Sequence, residues 1–499
     1  MADSKQSPDV DNIVRLVLGE ITKRGAQTPD IPASSNVTPA PMAVRSASAS
    51  LPPSADGQCV FNDMDEAVAM ARQAQRRFLD ISLENRSKIV ANIRMRSLEQ
   101  AELIARMEIG ETALGKFSDK ILKIVLCANK TPGPEDLQSH AVTGDRGLTL
   151  TELAPWGVVA SITPVTNPPA TVLNNAISVL SAGNGIVFNP HPSAKMVSAE
   201  MARVIHDAVV EAGGPANLVT CMASPTIESA QALMKHKNID LVVVTGGGAV
   251  VKQAMASGKR AICAGPGNPP VIVDETAIIP QAAKDIVNGA GYDYNILCTC
   301  EKEIFAVDKI AHKLKRDMVA NGAFEIEGIA IDKLTKLLVE SDPDKSGYRH
   351  VAINRRFVGK SPEEILKQID ITPPPGTKIV FFEAPWDHPL VMAEQLMPVI
   401  PFVRCKSVEE AMEKAVIVEH QFRHTFVMHS TSIVNLSNMA QLCRANIFVK
   451  NGMNLAGLGY GGEGWTTMSI AGTTGEGLTK ASTFTRPRRC TLVDYFRII

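Results

Sequence analysis

Several things are scarce in this chain of 499 residues, and each scarcity excludes something. There is no surplus of charge. Lys and Arg number 51 against 52 Asp and Glu, a formal net charge of −1, so no overall field draws the protein to nucleic acid. No apolar run approaches the ~18–20 residues that a membrane-spanning helix needs. The opening MADSKQSPDV lacks the positive-then-apolar order of a secretory signal. Nine cysteines without small-domain spacing read as reduced cytosolic thiols. The close pair Cys298 and Cys300 is CxC, not the CxxC of redox or zinc sites. No His/Cys/Asp/Glu group has zinc spacing, so no metal is expected. GxGxxG after the first strand is missing, and so is any repeat at solenoid periods.

What is present is an ordinary globular balance, 45% hydrophobic and 21% charged, in a chain long enough for two or three domains. Ser7 is a good N-cap, Pro8 suits the first helical position, and Val10, Ile13, Val14, Val17 and Ile21 fall on one helical face. A helix this short cannot bury that stripe alone. It packs on its own body or docks on another protein. Residues 26–57, rich in Pro, Ala and Ser, form a flexible tether and favour docking. Asp9, Asp11 and Glu20 argue against a mitochondrial transit peptide.

The body begins near Cys59 with long helical patterns at residues 63–79 and 86–110. Apolar strands then alternate with helices. GVVASITP (157–164), GIVFNP (185–190), LVT (218–220), DLVVVTG (240–246) and PVIVD (270–274) form one series, and a second set runs from 290 to about 449. Near-continuous apolar strands between helices indicate parallel α/β sheets covered on both faces.

Two segments carry candidate chemistry. LVVVTGGGAVVKQA is a buried strand, three glycines (Gly246, Gly247, Gly248) and a helix start. Glycines let a ligand approach the backbone, and a helix N-terminus favours phosphate; tight strand-to-helix turns use glycine too. Cys298, in GYDYNILCTCEKEIFAV, precedes a strand-like run. Taken alone it reads as a nucleophile or as an inert core thiol.

Four segments, in order, resemble the aldehyde dehydrogenase superfamily: LAPWGVVASITPVTNPP, VTGGGAVVKQA, NILCTCEKE and AEQLMPVIPFV. NPHPSAK, AGPGNPPVIVD, HTFVMHS and RPRRCTLVDYFRI further resemble the coenzyme A-acylating propionaldehyde and acetaldehyde dehydrogenases of bacterial microcompartments. The resemblance implies an α/β fold with a Rossmann-type cofactor domain (58–263, with bridging strands at 140–155), an α/β catalytic domain (264–449), and a return segment with an oligomerisation strand (450–499). It also implies an encapsulation helix at 1–25 on a linker at 26–57, with shell proteins engaged through residues 7–25.

By the same resemblance Cys298 attacks the aldehyde, Asn167 and the Cys298 backbone N–H hold the oxyanion, and His424 takes a proton. Thr163, Pro164, His191, Pro192, Gly246, Gly247 and Glu394 bind the cofactor, with Glu394 on the nicotinamide ribose. Hydrolytic relatives carry a water-activating glutamate in an E-L-G-G-K-S-P segment. The matching stretch here is Ala264-Gly265-Pro266-Gly267-Asn268-Pro269-Pro270, so alanine replaces the base and a thiol is the better acceptor. His191 and Pro192 replace a lysine and an acidic residue, which leaves NAD against NADP open.

The reading is oxidation of propionaldehyde or acetaldehyde to acyl-CoA with NAD and coenzyme A. It places a homodimer or homotetramer in the bacterial cytoplasm inside a microcompartment, with no nucleic-acid or membrane partner. A hydrolytic aldehyde dehydrogenase and a non-catalytic microcompartment component are the alternatives.

Overall fold

The structure is a computed structural model that describes residues 58–340 and 351–499. The N-terminal helix and tether lie outside the described residues.

The first sheet has six parallel strands: β1 (Val60–Phe61), β4 (Val158–Thr163), β5 (Gly185–Pro190), β6 (Val219–Met222), β7 (Leu241–Thr245) and β8 (Arg260–Ala264). Between β1 and β4 in the chain lie β2 (His140–Gly144) and β3 (Gly147–Pro155) of a separate arm. The order is β1-β6-β5-β4-β7-β8. All six residues of β4 and of β5 are buried, which explains their unbroken apolar run. From β4 the chain moves outward through β5 and β6, then returns to lay β7 and β8 on the other side. That reversal opens a crevice at the carboxyl ends of β4 and β7, where doubly wound sheets bind ligands.

The second sheet has seven parallel strands: β9 (Pro270–Val273), β10 (Glu303–Val307), β11 (Ala323–Glu325), β14 (Ile379–Glu383), β15 (Val399–Cys405), β16 (Thr425–His429) and β17 (Ile447–Lys450). Two strand pairs, β12 (Val339–Glu340) with β13 (Ala352–Ile353) and β18 (Ile470–Ala471) with β19 (Gly477–Leu478), stand apart. The second-sheet order is β11-β14-β15-β10-β9-β16-β17. Here the structure corrects the sequence reading. The PVIVD strand joins the second sheet, between β10 and β16, instead of continuing the first series. The edge of the first sheet is completed by β8, whose two exposed-side leading residues, Arg260 and Ala261, hid its strand character. The helical pattern at 86–110 is two helices, Leu83–Glu99 and Ala101–Thr112, parted at Gln100.

The third sheet is the antiparallel arm β2-β3-β20, with β20 at Thr485–Val493. Buried amides fasten this return segment to the first sheet. The helix Pro168–Ser181 has every residue buried. Its Asn174 side-chain oxygen accepts from Thr467 Oγ1 (3.1 Å) and Met468 N (3.0 Å), and Asn175 Oδ1 accepts from Ser469 Oγ (3.0 Å). Asn184 Oδ1 accepts from Trp156 N (2.7 Å) and Gly157 N (3.0 Å), while its Nδ2 donates to Phe484 O (2.9 Å). Asn184→Ala strands these buried backbone groups, so urea unfolding should show a loss of about 1–3 kcal/mol; an unchanged midpoint contradicts this role.

Candidate active site

A cavity of about 660 Å³ opens at the crevice predicted by the strand order. Thr163 and Pro164 line it from the end of β4, His191 and Pro192 from beyond β5, Gly246 and Gly247 from beyond β7. Asn167, Cys298 and Glu394 line it too. The walls fit a dinucleotide. The Thr163 hydroxyl is buried without a protein partner. A Cβ added to Gly247 or Gly248 would meet nothing within 4 Å, leaving open space before the helix Gly248–Met255, whose N-cap is Gly247. His191 Nδ1 accepts from Ser193 N (3.1 Å); burial and then the Arg355 guanidinium hold its imidazole below the usual range. No carboxylate stands among these cofactor-side residues; among the described residues, the one acidic side chain on the cavity wall is Glu394.

Cys298 sits in the turn between the short helical segment Tyr292–Asn295 and β10. Asp293, Tyr294 and Asn295 all have left-handed backbone (φ 47°, 52° and 63°), a costly run that needs support. Lys302 supplies it. Its buried ammonium donates to Asn295 O (2.8 Å) and Leu297 O (3.2 Å), as well as to Asn295 Oδ1. Cys298 is half-buried, whereas seven of the other eight free cysteines are buried and Cys490 is exposed. Desolvation pushes its thiol up to about 12, helped by the Glu394 carboxylate and opposed by the Lys302 and Lys123 ammoniums. The resting group is therefore a thiol, and a base has to take its proton.

Glu394 Oε1 accepts from Gly267 N (3.3 Å), and burial raises its carboxyl to about 7, against the pull of Lys302. Asn167 stands immediately before the helix Pro168–Ser181. Its Oδ1 accepts from Lys123 Nζ (2.5 Å), and its Nδ2 lies 3.3 Å from Thr166 Oγ1.

His424 alone of the predicted site residues is not on the cavity wall. It stands behind Gly267: a Cβ added there would lie 2.9 Å from His424 Cγ and 3.0 Å from Cys298 O. Only glycine lets the imidazole approach the cysteine turn this closely. His424 Nδ1 pairs with Thr425 Oγ1 (2.9 Å), and its backbone N donates to Glu419 Oε1 (2.7 Å). Burial, then Lys302, lowers the imidazole to about 4, so it is neutral at physiological pH.

Three supporting residues escaped the sequence reading: Lys302, Lys123 and Asp293. Each left a signal. Glu301, Lys302 and Glu303 put three charges at the start of an apolar strand, and all three are buried. Lys120 and Lys123 share a helix face with Ile124, Cys127 and Ala128, and that face is buried. Among the described residues, no group of three or more His, Cys, Asp or Glu side chains is placed to hold a metal ion, and no helix is long and apolar enough to cross a membrane.

The family model "Aldehyde dehydrogenase family" matches residues 57–324. The chain is 47% identical over 443 residues to an acetylating acetaldehyde dehydrogenase of Bilophila wadsworthia (88% of this chain, 91% of the relative). It is 41% identical over 493 residues to a CoA-propanoylating propanal dehydrogenase of Salmonella typhimurium (98% and 99%). Among solved structures, a propionaldehyde dehydrogenase from the fucose utilisation microcompartment of Clostridium phytofermentans superposes with TM-score 0.85 at 43% identity (88% and 100%). A Rhodopseudomonas palustris propionaldehyde dehydrogenase with bound CoA and an acylated cysteine does so with TM-score 0.84 at 45% identity (87% and 98%). The chain belongs to the aldehyde dehydrogenase family, and its α/β sheets are that family's fold.

The raised thiol sets a pH test. In the cofactor-free protein, alkylation of Cys298 by iodoacetamide, followed by peptide mass spectrometry, should rise about tenfold per pH unit from pH 7 to 9, because only the thiolate reacts. A plateau below pH 8 contradicts the desolvated thiol.

Proposed function

We propose that the protein oxidises a short aliphatic aldehyde, propionaldehyde or acetaldehyde, to its coenzyme A thioester with NAD, through a thioester on Cys298. The observation that carries this is a half-buried cysteine sharing a cavity of about 660 Å³ with Asn167, while an alanine and a glycine, Ala264 and Gly265, fill the stretch where hydrolytic relatives carry their base.

Cys298 loses its proton to a base, and Sγ bonds to the aldehyde carbon as the π pair moves to oxygen. The side-chain amide of Asn167 and the Cys298 backbone N–H hold that oxyanion. Thr163, Pro164, His191, Pro192, Gly246 and Gly247 line the cavity and would hold the dinucleotide, whose nicotinamide would supply the hydride acceptor. Glu394 anchors its ribose hydroxyls. As the oxygen pair re-forms the carbonyl and the hydride departs, Cys298 is left as a thioester. The coenzyme A thiolate then adds to that carbon, the C–Sγ bond breaks, and the Cys298 thiolate returns. Neutral His424 serves as the proton acceptor behind the turn. The balance is aldehyde, NAD+ and coenzyme A giving acyl-CoA, NADH and a proton. His191 and Pro192 themselves carry no carboxylate to repel the extra phosphate of NADP.

Three wider readings rest on the same foundation. The relative of nearly equal length and the microcompartment neighbour support a place inside a bacterial microcompartment in the cytoplasm, reached through residues 7–25 binding shell proteins. The arm carries exposed Val142, Leu492 and Val493, which suits pairing with a second copy in a homodimer or homotetramer. Aldehyde and coenzyme A are the small-molecule partners.

NADH and acyl-CoA should form in equal amounts from C2 to C4 aldehydes, with Cys298→Ala abolishing both; activity retained by that variant removes the mechanism. Ala264→Glu, which restores the missing carboxylate, should raise free-acid formation relative to wild type. Deleting residues 1–25 should leave the activity intact and abolish co-sedimentation with shells; loss of folding instead assigns that helix to the protein's own core.

A further inference from the structure

Behind the reactive groups lies a sealed cluster of charges that the mechanism above does not use. Lys120, Lys123, Glu108 and Asp293 are all buried. Lys120 Nζ stands 2.7 Å from Glu108 Oε1 and 3.0 Å from Asp293 Oδ2, and Lys123 pairs with the same Asp293 oxygen. A buried ion cluster costs desolvation that hydrophobic residues of equal volume would avoid. Its retention calls for a task.

The geometry supplies one. Lys123 Nζ also donates to Asn167 Oδ1 (2.5 Å), and Lys120 Nζ reaches Thr166 O (3.4 Å). Asp293 opens the left-handed run that leads to Cys298 and accepts from Lys116 N (2.7 Å), while its own N–H donates to Asp119 Oδ2 (2.9 Å). One carboxylate on the cysteine turn and one amide on the first sheet's crevice are therefore tied to a single helix, Phe117–Lys130, by two adjacent ammoniums.

An amide presents either of two faces after a 180° turn of its last torsion, and the two are nearly equal in shape. An ammonium has donors only. Facing Lys123, the Asn167 side chain must offer its oxygen, so its NH₂ is directed away from the ammonium, where one N–H donates to Thr166 Oγ1 (3.3 Å) and the second is left for the substrate oxygen. We propose that Lys123 is a positioning residue: anchored by Asp293, it fixes the Asn167 amide with its donor turned to the substrate oxygen, and it sets the spacing between that donor and Cys298. This rests on Asn167 being an oxyanion donor.

The test is a double-mutant cycle read in the single-turnover rate of acyl-enzyme formation, with NADH followed in the presence of propionaldehyde. Asn167→Ala should slow this step by about 10²–10³-fold. Lys123→Met should slow it by a sizeable part of that factor and leave the KM for NAD unchanged. In the Asn167→Ala background, Lys123→Met should cost nothing further, because the lysine acts through the amide. Equal slowing in both backgrounds overturns the proposal and leaves Lys123 a general support of the fold. If Asn167→Ala slows the step and Lys123→Met does not, the clamp is wrong while the oxyanion reading stands. If Asn167→Ala is silent, the oxyanion reading fails and the clamp falls with it. Should Lys123→Met not fold, Asp293→Asn, which loosens the anchor while keeping an acceptor for Lys116 N, runs through the same cycle with the same expectation.

Discussion

The site depends on one buried ammonium more than on any other group. Lys302 gathers the carbonyls of Asn295 and Leu297 around itself and so closes the turn that presents Cys298. Three consecutive left-handed residues lead into that turn, and each costs free energy that the turn alone cannot recover. Its charge also acts on three ionisable groups of the site. It opposes the upward push on Cys298 and Glu394 and reinforces the downward push on His424. A single cation thus holds the nucleophile's backbone and biases the proton positions around it.

Burial sets the chemistry to which that cation responds. Desolvation makes the cysteine a poor thiolate, lets the glutamate hold its proton to about pH 7, and keeps the histidine neutral. Such a pocket strengthens any hydrogen bond offered to a developing oxyanion. It also handicaps water as an acceptor, since no carboxylate occupies the Ala264 stretch to activate it. A thiol brought in by a large substrate suffers less, because a thiolate is intrinsically nucleophilic.

The sequence made the fold legible where periodicity was strong. β4, β5 and β7 stand within a residue of where the apolar runs placed them. Periodicity alone ran β9 on from the first series, because a short buried strand has the same signature in either sheet, and only pairing with β10 and β16 decides the matter. The cavity residues were legible through family resemblance, which carried Thr163, Asn167, Gly246, Cys298 and Glu394 to one crevice. Lys302, Lys123 and Asp293 were not. Their roles arise from contacts across 170 residues or within a turn of unusual backbone, and no local pattern encodes either. His424 was found as a residue, but its place behind Gly267 depends on a glycine whose importance shows only once the two segments are packed.

On this mechanism the Cys298 thioester waits for a thiol. The most direct measurement mixes enzyme, NAD and propionaldehyde without coenzyme A, follows NADH, and weighs the protein. The expected result is a burst of one NADH per active site, an arrested reaction, and a propionyl group on the Cys298 peptide that leaves when coenzyme A is added. Continuous NADH formation with free propionate and unmodified Cys298 would contradict it.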